Sequence, residues 1–344
     1  MEDLDGLRGL ILYSQAQHIN YSLEGEAGAG VDIGVADTIY ETNIDNITVV
    51  DSTCCLEEYR DDPPATTAPH GKLVLPILHY YAEKGDFYLY LAGDEREVHT
   101  SDGTIEERTV MPQMAFGDAV KAAISDEIDI LNLSAGKCRP RCINGECQYC
   151  NIAKRALDKD IAIVAAAGNN SDGVIHCPAN RDQVICVAGF EVECGYTDRD
   201  RRAGGGPEGA YWTKMWSGVD YPDGAVDGQY CSMRGCDGDS QKCERHRDVE
   251  PWENNPQPSG EKPDILGPVH YAHKMGESKP FVWAASSFAA PVVSGAIAGV
   301  ISRTSQSEIS PHTLRESVVD SGDALPSGHA PTFNAEELEQ TMTD

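Results

Sequence analysis

The chain has 344 residues, enough to bury a large core, and its 56 acidic against 27 basic residues give a formal net charge of −29. This excess of negative charge excludes duplex nucleic acid as a natural partner, because its phosphates would be repelled. The chain contains no apolar run of about 18 residues or more, so we expect no transmembrane helix and no membrane partner.

The first predicted strand covers about residues 31–37 and ends in a carboxylate. It is mostly apolar up to Asp37, which is the pattern of a buried parallel strand. The carboxyl ends of such strands are where α/β sheets place their active sites, so Asp37 is a candidate catalytic residue. The alternative for Asp37 is a cap on the following turn.

The first predicted helix covers about residues 70–83 and begins with a histidine after a turn-rich stretch. Apolar residues recur at helical spacing at Leu73, Ile77 and Tyr81. Pro76, near the first turn, is unfavourable within a helix. His70 is therefore at the start of a helix. Alone, such a histidine is more often a helix-start or surface residue than a catalytic one.

The middle of the chain alternates between predicted strands and helices, as expected of one large α/β domain. The strands cover about 86–92, 128–134, 161–167 and 184–189, and the helices cover about 114–125 and 148–158. The strand at 161–167 leads directly into Gly168 and Asn169. Asparagine after glycine is common in turns, so an ordinary strand terminator is the alternative for Asn169.

The next predicted helix covers about residues 287–303 and has a serine, Ser287, among small residues at its start; a last one covers about 312–320. A helix N-terminus has unpaired backbone N–H groups and a dipole that favours developing negative charge. This is the environment that a nucleophilic serine requires, although many buried helices also begin with small residues.

Asp37, His70, Asn169 and Ser287 together supply each group that acyl transfer needs. His70 would act as general base toward Ser287, and Asp37 would orient the imidazole. The amide of Asn169, with the backbone N–H of Ser287, would bind the oxyanion. The order aspartate, histidine, serine along the chain is that of subtilisin.

The segments around these residues resemble the motifs of the subtilisin-like serine peptidases, or subtilases. The matching segments are Val35-Ala36-Asp37-Thr38, His70-Gly71, Ala165-Ala166-Ala167-Gly168-Asn169 and Ala285-Ser286-Ser287-Phe288-Ala289-Ala290-Pro291. Four further segments also resemble the family in the same order, namely 130–136, Cys177-Pro178-Ala179, Lys262-Pro263-Asp264-Ile265 and 328–337.

The resemblance implies a three-layer subtilisin-like α/β fold, with a mainly parallel sheet flanked by helices on both faces, in a single domain over residues 1–344. It implies a serine endopeptidase that acts on protein or peptide substrates and needs no cofactor for catalysis. It also implies a substrate-binding set of Leu133, Ser134, Ala135, Gly136, Ala167 and Gly168. The alternatives are a processing peptidase of narrow specificity and a catalytically silent, peptide-binding homologue.

Four departures from the family pattern lie next to the catalytic candidates, and one of them is Ser286, which stands where the family has threonine. Ile39 stands two residues after Asp37 where the family has glycine, and Ala285 stands two residues before Ser287 where the family also has glycine. Lys72 and Leu73 replace the family's threonine and histidine after His70-Gly71. A lost glycine matters where the backbone needs a positive φ, a conformation for which isoleucine is poorly suited.

Four of the twelve cysteines, Cys138, Cys142, Cys147 and Cys150, fall within 13 residues, in a loop at 137–150. Four thiolates this close are candidate ligands of a structural Zn²⁺. The alternatives are two local disulfides, an iron–sulfur cluster, or free thiols in a reducing cytosol. In either a zinc or a disulfide form, the crosslink would stiffen a loop beside the specificity pocket.

A long insertion is predicted at about 195–261, because Asn169 and Ser287 are 118 residues apart. It is rich in glycine, aspartate, proline and aromatic residues, and it carries three more cysteines. Its Asp237-Gly238-Asp239 stretch is a candidate Ca²⁺ ligand segment, although a solvated acidic surface is the better default.

The first residues predict a cytoplasmic protein. Glu2, Asp3 and Asp5 place acid where a secretory signal needs basic charge. The 36 residues before Asp37 leave no room for a folded propeptide. Secretion remains the alternative if the chain is a processed mature form.

The acidic residues are spread along the whole chain, which favours adaptation to high salt over an ordinary acidic enzyme. Self-repulsion of so much charge opposes the compact state unless salt screens it. We therefore expect the folded fraction, followed by circular dichroism, to fall as ionic strength is lowered. Full activity in dilute buffer would contradict this expectation.

Overall fold

The architecture comes from a computed structural model, which describes residues 8, 12, 15–16, 18–23, 25–42, 44, 46–99, 105–137, 142, 146–171, 173–192, 249–258, 260–273, 281–304, 310–325 and 328–343. The strands are β1 (Asp32–Asp37), β2 (Val49–Cys54), β3 (Asp86–Leu91), β4 (Asp94–His99), β5 (Ile105–Val110), β6 (Ile130–Leu133), β7 (Ala162–Ala166), β8 (Ile185–Val192), β9 (Val249–Pro251), β10 (Ile265–Pro268), β11 (His270–His273) and β12 (Phe281–Ala284). The helices are α1 (Gly71–Tyr81), α2 (Gln113–Ser125), α3 (Gln148–Leu157), α4 (Ser286–Arg303), α5 (Pro311–Asp320) and α6 (Ala335–Thr343), with a short 3₁₀ helix at Glu57–Tyr59.

A parallel sheet forms the centre of the fold, in the order β10-β8-β7-β6-β1-β3-β2. Strand β9 adds antiparallel to β8 at Phe190 and Val192. The central strands β1, β6 and β7 are almost wholly buried, as expected of parallel strands covered on both faces. The predicted α/β class, with a mainly parallel sheet and flanking helices, is confirmed.

The strands and helices predicted from the sequence lie close to their predicted bounds. The helix predicted at about 70–83 is α1, which begins one residue later, with His70 as its N-cap. Two antiparallel pairs, β4 with β5 and β11 with β12, were not predicted. Among the described helices, none is long and apolar enough to cross a membrane.

Helix α4 is the central core helix and packs closely on α1. Every residue from Ser286 to Val300 is buried, so the helix has no polar face. A β-carbon at Gly295 would lie 2.7 Å from the carbonyl oxygen of Leu78 and from the β-carbon of Tyr81. Only glycine permits this approach, which fixes the position of α4 relative to α1.

A buried polar contact joins α4 to the sheet. Ser294 donates from Oγ to Oδ1 of Asn132 in β6 over 3.0 Å, and Nδ2 of Asn132 donates to Oγ of Ser134 over 3.0 Å. A buried polar group without a partner costs about 1–3 kcal/mol, so this chain of bonds stabilises the positions of all three side chains. It places the residues after β6 relative to the start of α4.

The Lys262-Pro263-Asp264-Ile265 segment holds a buried charge cluster. Asp264 accepts from Lys262, and its Oδ1 accepts from Arg315 Nη2 over 2.6 Å. Its Oδ2 also accepts from the backbone N–H of Cys186 in β8, over 2.7 Å. The carboxylate therefore ties β10 to β8 and to α5, away from the catalytic candidates, which is a structural role.

Candidate active site

Asp37 and His70 are in direct contact. Asp37 is the last residue of β1, and its side chain is about 1% exposed. Nδ1 of His70 lies 2.9 Å from Oδ1 and 3.0 Å from Oδ2 of Asp37. Since a carboxylate only accepts, Nδ1 carries the proton, and Nε2 is the nitrogen left to act on a substrate or nucleophile.

Thr38 holds this pair in place. Its backbone N–H donates to Oδ1 of Asp37 over 2.8 Å, while its hydroxyl donates to the carbonyl of Ala68 over 2.8 Å. The same hydroxyl accepts from the N–H of Gly71 over 2.9 Å. The end of β1 is thus bonded to both sides of His70, which sets the imidazole against the carboxylate.

The pKa of His70 is raised by its surroundings. Burial acts to lower this pKa, but the negative charge of Asp37 and the hydrogen bond to it together act more strongly in the opposite direction. The imidazolium form is therefore stabilised relative to a free histidine. This favours proton uptake by His70 from a neighbouring donor.

The departures at Ile39 and Ala285 impose no backbone strain. Ile39 has no positive φ, and Ala285 has φ −161°, which is ordinary extended backbone. The buried Ile39 packs against Gly71, where a β-carbon would lie 2.8 Å from that of Ile39. The absence of a side chain at Gly71 leaves space for the side chain of Ile39. Positions 39 and 285 therefore do not require glycine in this fold.

Ser286 orients Asn169. The backbone N–H and the hydroxyl of Ser286 donate to Oδ1 of Asn169 over 2.8 and 2.7 Å. A backbone N–H only donates, so the group it meets must be the amide oxygen. The Nδ2 end of the Asn169 amide therefore faces away from Ser286, on a residue that lines the cleft.

Ser286 also joins the two segments that carry Asn169 and Ser287. Its hydroxyl accepts from the N–H of Gly168 over 3.1 Å. Gly168 follows β7 with φ +114°, a conformation that disfavours other residues. These bonds bring the start of α4 to the carboxyl edge of β7, the same edge at which β1 delivers Asp37.

All four catalytic candidates line one cleft of about 400 Å³. Ser287 is the second residue of α4, and the ring of the next residue, Phe288, stacks on His70 with centroids 6.5 Å apart. The structure thus brings Asp37, His70, Asn169 and Ser287 to a common space.

The substrate-binding candidates divide into two groups. Ser134, Ala135, Gly136 and Gly168 line the cleft. Leu133 and Ala167 belong to the buried core beside it. The backbone from Ser134 to Gly136 is therefore the part of the predicted strand that a substrate can reach.

Further cleft residues were not identified from the sequence. His176 lies against Gly136 and Gly168, since a β-carbon at Gly136 would lie 2.7 Å from the β-carbon of His176. Thr109, Val110 and Met111, from β5 and the residue after it, form another part of the lining. The Asp102-Gly103 dipeptide between two charged segments was the available sequence signal for a hairpin there.

Three of the four predicted cysteines, Cys142, Cys147 and Cys150, lie in one cluster together with Cys177. The Sγ atoms of Cys142, Cys147, Cys150 and Cys177 all lie within 4.8 Å of one another. Cys138 lies outside the described residues, as does the Asp237-Gly238-Asp239 stretch considered for Ca²⁺. The cysteines that the structure describes carry no disulfide bond.

Comparison with solved structures finds chains of the same fold. The Prenylagaramide maturation protease PagA has a TM-score of 0.55 and 15% identity, covering 98% of both chains. The protease domain of PatA, as a serine-to-alanine mutant, has a TM-score of 0.57 and 16% identity, covering 93% of this chain and 97% of its own. A cold adapted subtilisin-like serine proteinase has a TM-score of 0.54 and 13% identity, covering 90% of each.

Comparison of sequences gives the family. No curated protein matches the chain. The model of the subtilase family matches residues 107–335, which include Asn169 and Ser287 but begin after Asp37 and His70. This match extends over about two thirds of the sequence, and so the chain belongs to the subtilase family of serine proteases.

Proposed function

We propose that the protein is a serine endopeptidase that cleaves peptide bonds through an acyl-enzyme intermediate on Ser287. The observation that carries this proposal is the Asp37–His70 contact within the cleft that also holds Ser287 and Asn169. Family membership supports the reaction class, and the geometry of the cleft supports the role proposed for each side chain.

In the first half of the reaction, Nε2 of His70 takes the proton of Ser287 while Oγ bonds to the carbonyl carbon of the substrate. The carbonyl π electrons move to oxygen, where Nδ2 of Asn169 and the N–H of Ser287 stabilise the negative charge. When the tetrahedral intermediate collapses, the C–N bond breaks and His70 gives its proton to the leaving amine.

In the second half, water replaces the amine. His70 takes a proton from water, whose oxygen bonds to the acyl carbon, and the ester bond to Oγ breaks as the proton returns to Ser287. Throughout both halves, Asp37 holds Nδ1 protonated and stabilises the imidazolium. The raised pKa of His70 supports this role.

The substrate backbone would bind along Ser134, Ala135 and Gly136 as an added strand. Backbone pairing of this kind binds many sequences, and the side-chain pockets give the preference among them. The bond between Ser134 and Asn132 fixes the start of this segment before a substrate arrives.

A serine-directed fluorophosphonate tests the proposal. We expect the folded wild-type protein to be labelled at Ser287, as located by peptide mapping, and Ser287→Ala to stay unlabelled. Ser302→Ala, at the other end of the same helix, is the matched control and should label like wild type. A folded wild type without label would contradict the proposal and favour the silent homologue.

A processing peptidase of narrow specificity is the second candidate. PagA, which covers 98% of this chain and is described as a maturation protease, supports it. Such an enzyme would still be labelled at Ser287, but it would leave denatured casein intact and cut few members of a peptide library. Cleavage at many unrelated sites would instead support the general endopeptidase.

A further inference from the structure

Four thiol groups form a compact cage beside the catalytic cleft. The Sγ atom of Cys150 lies 3.7 Å from that of Cys142 and 3.6 Å from that of Cys147, and Cys177 completes a group within 4.8 Å. Four thiolates around one Zn²⁺ at about 2.3 Å would be about 3.8 Å apart at the edges of the tetrahedron. The cage therefore already has the size of a single-ion site.

From this geometry we propose that Cys142, Cys147, Cys150 and Cys177 bind one structural Zn²⁺. The site is distinct from the catalytic residues, and the proposal does not depend on the proposed function. Its ligand set replaces Cys138, predicted from spacing, with Cys177, which the fold brings from a distant part of the sequence.

The local backbone suits a thiolate–metal site. Cys147 is the N-cap of α3 and Cys150 lies in its first turn, where the helix dipole stabilises negative charge. The N–H of Cys147 points to Sγ of Cys142 over 3.4 Å, and such bonds stabilise thiolates. The two-residue gap between Cys147 and Cys150 is the usual spacing of a zinc knuckle.

The opposite side of the cage is also held in place. Lys137 and Cys177 form an antiparallel bridge, with both N–H to carbonyl distances at 2.9 Å. Asn180 donates from Nδ2 to the carbonyl of Cys142 over 3.0 Å. These contacts join the loop before α3 to the turn that carries Cys177, so both halves of the ligand set are positioned by hydrogen bonds.

A single ion fits the cage better than the other uses of four cysteines. A disulfide needs its sulfurs about 2.05 Å apart, whereas Cys150 is nearly equidistant from two partners. An iron–sulfur cluster places several irons and sulfides between its thiolates and needs a wider cage. Four thiolates in a tetrahedron are typical of zinc, and Cys150 and Cys177 are fully buried, as in a closed structural site.

The position of Cys177 connects the site to the cleft. It follows His176, whose side chain lies against both Gly136 and Gly168. A β-carbon at Gly168 would be only 2.9 Å from the imidazole of His176, so the turn before Asn169 rests directly on this ring. An ion that holds Cys177 in place would therefore also hold His176, which forms the wall between residues 134–136 and the turn at Gly168 and Asn169.

Metal analysis of the purified full chain, kept reduced and free of added metal, tests the site. We expect about one zinc per chain by mass spectrometry of the metal, and release of that zinc as a mercurial reagent titrates the thiols. Replacement by Co²⁺ should give the intense visible bands of tetrahedral thiolate coordination. A metal-free, folded protein, or two disulfides within the cage, would overturn the proposal.

Variants separate the two ligand sets. Cys177→Ser should lower bound zinc at least tenfold, while Cys138→Ser should keep it, since the cage is complete without that residue. Cys54→Ser, a half-buried cysteine outside the cage, is the matched control. Loss of zinc in Cys138→Ser with retention in Cys177→Ser would reject this ligand set. If Cys177→Ser does not fold, the zinc content of folded Cys138→Ser decides between the two sets, since the proposed set requires that this variant keep its zinc.

These measurements stay informative whatever the enzyme does. A protein that binds zinc but is not labelled by fluorophosphonate would keep the metal site and lose the peptidase proposal. A protein that is labelled by fluorophosphonate but binds no zinc would support the peptidase proposal and reject the metal site.

Discussion

Replacing Ser287 with alanine is expected to lower kcat for peptide hydrolysis by about 10⁶, a magnitude carried over from subtilisin itself. In the proposed mechanism, the oxygen of this hydroxyl bonds to the substrate, and the neighbouring hydroxyl of Ser286 is already bonded to Oδ1 of Asn169. The change removes one buried hydroxyl and adds no bulk, so we expect the fold to survive.

The measurement is single-turnover and steady-state hydrolysis of a peptide library, with thermal unfolding as a check on the fold. His70→Ala should lower kcat by a comparable factor. The variant that combines both substitutions should have a kcat only slightly lower than either single variant, because the two groups act as a unit. The residual rate of hydrolysis should still exceed the uncatalysed rate in water, because Asn169 and substrate binding remain. Retention of more than about one percent of wild-type kcat in folded Ser287→Ala would place the nucleophile elsewhere.

The sequence predicted the central sheet well because parallel strands that are buried on both faces are continuous apolar runs. Strands β1 and β7 are mostly apolar and buried, and the catalytic candidates Asp37 and Asn169 lie at or just after their carboxyl ends. Asp37 and Asn169 could be placed at the carboxyl edge of the sheet for this reason alone. His70 and Ser287 were found as helix starts, the requirements of acyl transfer grouped the four residues, and the family motifs then supported that grouping.

The parts that sequence missed depend on contacts between distant segments. Cys177 is 27 residues from Cys150 along the chain, and its bridge to Lys137 helps to bring it to the other three cysteines. Local spacing favoured Cys138, which is next to Lys137 in the sequence. A search limited to neighbouring cysteines cannot find a candidate ligand that the fold brings from a distant turn.

The orientation of the Asn169 amide and the accommodation of Ile39 also depend on contacts between distant segments, which the sequence alone does not reveal. The amide orientation depends on Ser286, 117 residues further along the chain. The isoleucine at a position where the family has glycine is accommodated by its contact with Gly71. Each is a matter of packing across the fold, for which a motif gives the residue types but not the contacts.

Helix packing explains how two remote helix starts reach one cleft. Glycine at position 295 allows α4 to approach the carbonyl of Leu78 in α1, so the spacing of the two helices is set by backbone contact. The hydrogen bonds of Thr38 and Ser286 then attach each helix start to the sheet edge. The geometry of the cleft thus depends on core packing as well as on the hydrogen bonds around the catalytic candidates.

The second large effect is expected from Asp37→Asn, which preserves size but removes the charge facing His70. We expect kcat to fall by about 10⁴, the loss produced by the same change in the chymotrypsin-type triad. The asparagine amide can donate to Nδ1 and so hold the imidazole in the wrong tautomer. It also offers no negative charge to the imidazolium that forms when His70 accepts a proton.

The pH profile distinguishes loss of the Asp37 charge from a general disturbance of packing, because only the loss of charge should shift the acidic limb. Catalysis needs neutral His70, so wild-type kcat/KM should fall as pH drops through the raised pKa of that residue. In Asp37→Asn the charge that raises this pKa is gone while the burial that lowers it remains, so the acidic limb should move to lower pH. Asp61→Asn, an exposed acid before His70, makes the same charge change as a control and should leave the limb in place. An acidic limb that is unmoved or shifted upward in Asp37→Asn would show that the Asp37 carboxylate does not control the charge of His70.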